Sequence, residues 1–305
     1  MEDQLLNECF MNCRLFDSHF HLINHKIHKS KFKEYNFSNL INDYNLSEIN
    51  VTLRGGICVE MLSACYPGLD NENYNNFLNA EISWLSNEIK DKNDFYFIAP
   101  ISFESVFLET NLHRLINIHK CLGVRQILNH NPSWPRNKYL GNLLKNDIWV
   151  KGFNLFCESS INCDLQINPN QFLDTYDLIK NIKNINFIIN HMGLPLYKDM
   201  NGSEYWTGLK LFSELNNVFI KLSRISYVHE NWDNENDVQN FILKVINLFG
   251  TERVLYGSNQ PIESNFNFDL KRSIQAFISF FEKKLSPDVI DNYFFKNCFK
   301  AYRIS

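Results

Sequence analysis

A chain of 305 residues, 45% hydrophobic and 21% charged, is long enough to bury one large core or two ordinary ones. Its formal charge of −4 gives no electrostatic ground for binding nucleic acid or an anionic membrane, so a small molecule is the expected partner. Eight cysteines without a CxxC pair read as reduced thiols of a cytoplasmic protein, and neither the acidic start Met1-Glu2-Asp3-Gln4 nor any apolar run predicts a signal peptide or membrane helix.

Residues 1–13 read as an extension of a single domain spanning 1–305. The first predicted strand is Arg14-Leu15-Phe16-Asp17-Ser18-His19-Phe20-His21-Leu22. A period of two puts Leu15, Asp17, His19 and His21 on one face, two imidazoles side by side with a carboxylate behind them. Gly55-Gly56-Ile57-Cys58-Val59-Glu60 is a second strand ending in a carboxylate. Phe77, Leu78, Ile82, Leu85 and Ile89, with Trp84 beside them, recur at the spacing of one helical face before a third strand from Phe95 to Ser102. Further strands follow from Leu122 to Asn129, Asp164 to Asn168, Phe187 to His191, Val218 to Ser223 and Val254 to Asn259, with His191 expected inward on the same parity as Phe187 and Ile189.

Helical spacing fills the intervals: Phe172, Tyr176 and Ile179; then Val238, Phe241, Ile242, Val245, Ile246 and Phe249; then Leu270, Ile274, Phe277 and Phe281. A last helix opens at Ser286-Pro287-Asp288, Ser as N-cap and Pro in the first turn. Eight strands alternating with helices predict an α/β fold, a single (β/α)8 TIM barrel. The connections leaving helices are short and several of those leaving strands are long, which places the active site at the strand C-termini.

Strand-end residues are therefore the candidates. His19, His21 and His191 are three imidazoles able to hold Zn²⁺ or a similar divalent ion with water in the open position, Asp17 orienting one ring. Arg125 presents paired donors to a substrate carboxylate, or else ties the fourth strand to a neighbour. Glu60, Gln166 and Lys221 either meet substrate or form a polar layer closing the barrel. Loop residues Tyr66, His130, Trp134, Arg136, Tyr205, Trp206, Tyr227, His229 and Trp232 are candidate pocket walls, each also a candidate for packing. Cys157 and Cys163 read as core packing.

Phe16-Asp17-Ser18-His19-Phe20-His21 resembles the opening motif of the amidohydrolase superfamily. Asn190-His191-Met192-Gly193-Leu194-Pro195 and the stretch from Arg253 to Pro261 resemble the sixth- and eighth-strand motifs of its amidohydrolase-2 branch. Gly123 to Asn129, Cys163 to Ile167 and Asn297 to Arg303 match in order. The resemblance implies a TIM barrel of amidohydrolase type and a hydrolase acting on a small, carboxylated lactone or related ester or amide, with His19, His21, His191 and Asn259 catalytic and Arg125, Glu60, Gln166 and Lys221 on the substrate. The alternatives are a decarboxylase on the same scaffold or a catalytically silent metabolite-binding barrel.

Three departures from the family pattern bear on mechanism. Asn259 stands where strand eight usually ends in Asp, and an amide cannot be a general base. Gln166 replaces a frequent His ligand, as in lactonase-like members, of which one type works without a metal. Arg224 stands where Gly is usual. One divalent metal ion, zinc first, and metal-free catalysis both remain open, as do a monomer and a homo-oligomer.

Overall fold

The computed structural model describes residues 13–29, 32–65, 71–130, 141–266 and 269–305; Tyr66, Trp134, Arg136 and the proposed extension up to residue 12 lie outside them. Eight strands form one parallel sheet in sequence order. They are β1 (Cys13–Phe20), β2 (Val51–Val59), β3 (Phe95–Pro100), β4 (Cys121–Ile127), β5 (Asn162–Gln166), β6 (Phe187–Ile189), β7 (Val218–Leu222) and β8 (Val254–Tyr256). Past the strand ends, β8 returns to β1: the Asn259 N–H donates to His19 O and the His21 N–H to Gln260 O, each at 2.7 Å. The fold is the predicted (β/α)8 barrel.

Both faces of each strand are buried, which is why the strands read as apolar runs. Inward residues Phe16, Ile57, Val59, Ile98, Ile188, Phe219 and Leu255 fill the barrel with Cys298, Ala301 and Tyr302. Those last three come from the helix Asn297–Tyr302. Outward residues, among them Leu15, Phe20, Val124, Leu165, Phe187, Ile189, Ile220 and Tyr256, join the larger core beneath the helices.

The helices follow the predicted periodicity. Asn71–Ile89, Phe172–Ile179, Asn236–Phe249 and Leu270–Lys284 turn their apolar stripes inward. Ser286 and Pro287 open the next helix as expected, although Ser286 makes no side-chain capping bond. No described helix is long and apolar enough to cross a membrane.

Two expectations of side-chain direction need correction. On β1, Asp17 pairs with Gly56 and Phe20 with Cys58, three residue steps against two. This bulge switches the alternation, so Leu15 packs outside the barrel while His19 and His21 turn inside. On β6, Phe187 and Ile189 face outward, and His191 does not share their direction. A left-handed backbone at His191 and Met192, φ 55° at each, swings the imidazole inward beyond the strand end.

Candidate active site

His19, His21 and His191 converge, all buried, at the C-terminal mouth of the barrel. Nε2 of His19 lies 3.3 Å from Nε2 of His21, and the His19 and His191 ring centroids are 4.6 Å apart. Each ring is held from its far side. His21 Nδ1 donates to Val59 O at 2.7 Å, His191 Nδ1 meets Ser223 Oγ at 2.8 Å, and His19 Nδ1 faces Lys221 Nζ at 3.3 Å. Burial depresses all three imidazoles, and cations add to it: chiefly Lys221 at His19, Arg125 at His21 and Arg224 at His191. His21 is held down to about 3, so the rings are neutral near pH 7.

Lys221 sits beneath this cluster, against Ser18, His19 and Asp164. Its buried ammonium donates to Ser18 O and Asp164 Oδ2, both at 2.7 Å. Asp164 also accepts from Asn190 Nδ2 at 2.8 Å and from Tyr302 Oη at 2.7 Å, tying the cation to the barrel floor.

Arg125 lies at the end of β4 with its guanidinium on Glu60 O at 3.0 Å and Gln166 Oε1 at 2.5 Å. Gln166 is in turn held by Asn129, its Nε2 donating at 2.8 Å. Glu60 accepts from the Ser63 N–H through Oε2, while Oε1 stands 3.8 Å from Arg125. Among the described residues, Glu60 Oε1 and Arg125 Nε are buried without hydrogen-bond partners. A ligand that supplied both an acceptor and a donor would satisfy them.

Asn259 adopts φ 57° just past β8, and its side chain hydrogen-bonds His21. Its Nδ2 donates to Glu263 Oε2 at 3.3 Å, and Ser226 Oγ donates to the other oxygen of the same carboxylate. Burial pushes Glu263 up to about 7 despite the opposing Asn259 and Arg224. Sequence reasoning missed Glu263; its only signal is a carboxylate four residues beyond Asn259, across a turn. Asp164 was legible only as the inward partner of Gln166 at a spacing of two.

Other expectations are redistributed. Asp17 does not orient an imidazole; it accepts from the backbone N–H of His19 and of Ser258, each at 2.9 Å, and from Tyr44 and Ser258 hydroxyls. Tyr205, Trp206 and Trp232 pack between helices, on Phe172, Phe241 and Phe277. Tyr227 is partly exposed beneath the Arg224 guanidinium, 4.3 Å from ring centre to cation. The His229 ring lies tilted against Tyr197, centroids 5.5 Å apart, and His130 is partly buried.

Two imidazole nitrogens on one zinc ion stand about 3.4 Å apart, so the His19–His21 spacing alone suits a metal. The remaining donors do not complete the set. No group of three or more His, Cys, Asp or Glu side chains among the described residues is arranged to hold a metal ion. Gln166 and Asn259 offer neutral amides, and Arg125, Lys221 and Arg224 surround the imidazoles with a field that opposes a divalent cation. The residues present do not fit a resident zinc.

The amidohydrolase family model matches residues 117–304. Among curated proteins, the uncharacterized protein y4mH of Sinorhizobium fredii (strain NBRC 101917 / NGR234) is 23% identical over 147 residues, 48% of this chain and 49% of that protein. The chain thus spans about half the length of the curated relative it matches. A zinc-bound amidohydrolase from Burkholderia multivorans superposes with a TM-score of 0.75 at 14% identity, covering 96% of this chain and 100% of the other. A probable 2-pyrone-4,6-dicarboxylic acid hydrolase from Acinetobacter baumannii, with citric acid bound, gives 0.68 at 17% over 96% and 100%. With the model match extending over more than half of its residues, the chain belongs to the amidohydrolase family.

Proposed function

We propose that this protein is a hydrolase of the lactonase type, adding water to the carbonyl of a small carboxylated lactone without a metal. One observation carries the reading: three buried imidazoles at the mouth of the barrel are kept neutral by burial and by the charges of Lys221 beneath them and of Arg125 and Arg224. Such a site favours an anionic substrate and offers nitrogen donors and acceptors to a polarised carbonyl. Arg125 takes the carboxylate through its unpartnered Nε and exchangeable contacts. Asn259 positions water or substrate. Water oxygen bonds to the carbonyl carbon, its proton passes to an imidazole, and a second imidazole donates a hydrogen bond to the developing oxyanion. The ring C–O bond then breaks and the leaving oxygen recovers the proton, giving a hydroxy acid. The dicarboxylic pyrone named for the Acinetobacter baumannii neighbour is of this substrate class. The seven described cysteines are free, which supports a reducing, cytoplasmic setting.

A panel of carboxylated lactones, read by proton release after chelator treatment, tests this. Turnover that survives chelation, and falls about a thousandfold in His19→Ala, is expected. Loss of turnover on chelation, restored by zinc, would overturn the metal-free reading. CO₂ release from aromatic carboxylates would replace hydrolysis with decarboxylation, and tight binding without turnover would make the chain a silent barrel.

A further inference from the structure

The three rings of the site differ in what holds them, and the difference falls on the two that face each other. A carbonyl oxygen only accepts, so the contact of His21 Nδ1 with Val59 O requires a proton on that nitrogen. In a neutral ring this leaves Nε2 as a lone pair. A lysine ammonium only donates; burial lowers the pKa of Lys221, and the Asp164 carboxylate at 2.7 Å opposes that shift and keeps Nζ a donor. It has three protons and three partners: Ser18 O, Asp164 Oδ2 and His19 Nδ1. Nδ1 of His19 is therefore the acceptor, and the ring proton sits on Nε2. That proton faces the Nε2 lone pair of His21 across 3.3 Å.

We propose that Lys221 is a positioning residue that sets the tautomer of His19, dividing two otherwise equivalent imidazoles into a hydrogen-bond donor and a proton acceptor. Directed hydrogen bonding runs from Lys221 through His19 and His21 to Val59. Every link has one donor and one acceptor, and reversing the His19 tautomer would set an N–H against the ammonium. Asn259, the other group on His21, has both a donor and an acceptor in its amide and does not dictate the order. Resting on the lactonase reading, the division deepens it. When substrate separates the pair, His19 Nε2–H meets the carbonyl oxygen and His21 Nε2 takes the proton of the attacking water. The same arrangement closes the pair to a metal, because the nitrogen that zinc would need on His19 is protonated and its alternative is covered by Lys221.

Long-range proton–nitrogen correlation spectra of the full chain labelled with ¹⁵N-histidine read the tautomers directly, His19→Gln and His21→Gln identifying the signals. Expected are His19 protonated at Nε2 and His21 at Nδ1, unchanged by one equivalent of zinc. His19 protonated at Nδ1, or loss of both sets of signals with zinc, would overturn the proposal. In Lys221→Met, a substantial His19 Nδ1–H population should appear; a His19 spectrum identical to the wild type would overturn it. Should that variant fail to fold, the wild-type spectrum decides alone. Because these spectra need no turnover, the tautomers can stand while the lactone panel fails, or fail while lactones are hydrolysed.

Discussion

Glu263 and Asn259 together hold a place where the family pattern has a single carboxylate. Asn259 cannot take a proton, yet its amide is fixed by a carboxylate that burial has brought to about 7. That shift has a consequence for stability. The folded pKa lies above the ordinary value of 4.5, so the native state holds a proton that the unfolded chain has released between those two values. The stabilisation is full below about 4.5 and is lost as pH rises through 7. Glu263→Gln mimics the protonated form and should match the wild type at about pH 4 while exceeding it at about pH 8 by up to about 3 kcal/mol in urea denaturation. An equal difference at both pH values would show that the carboxyl is not shifted by the fold. Its spacing of four from Asn259 is all that marks Glu263 in the sequence, because its role depends on a turn that returns it to Asn259 and on Ser226 from a different loop.

At the scale of elements, periodicity located all eight strands and their order, since buried parallel strands leave apolar runs that helical spacing separates cleanly. It could not tell which side chains enter the barrel where the alternation breaks. The bulge on β1 and the left-handed turn after β6 depend on the register of neighbouring strands, and between them they aim His19, His21 and His191. The histidines were thus legible as a cluster but not by the route that brings them together. Asp17 is the element that stabilises the β1 irregularity, accepting from the His19 and Ser258 N–H groups and from two hydroxyls while joining β1 to the segment after β8. Gly257 serves the same approach, since a Cβ there would stand 2.8 Å from that of His19. Asp17→Ala leaves buried donors unpaired and is expected to cost about 3 kcal/mol in chemical denaturation. A loss below about 1 kcal/mol would mean that the seam is held by its backbone bonds alone.

Across the whole molecule, the helix Asn297–Tyr302 closes the floor of the barrel and connects it to the mouth through side chains. Tyr302 bonds Asp164, Asp164 holds Lys221, and Lys221 touches His19. Tyr302→Phe removes one link without changing volume much. The expected cost is about 1 to 2 kcal/mol of stability, measured by thermal unfolding, for a buried carboxylate oxygen left unpaired. An unchanged melting temperature would show that Asn190 and Lys221 suffice for Asp164. The closure between β1 and the segment after β8 carries a meaning in time as well as in space. His19 and Asn259 come from opposite ends of the sequence and meet only when the ring shuts. During refolding, a species that has formed most of its strands but not joined the first to the last has no imidazole site, so recovery of turnover is a clock for the final closing step.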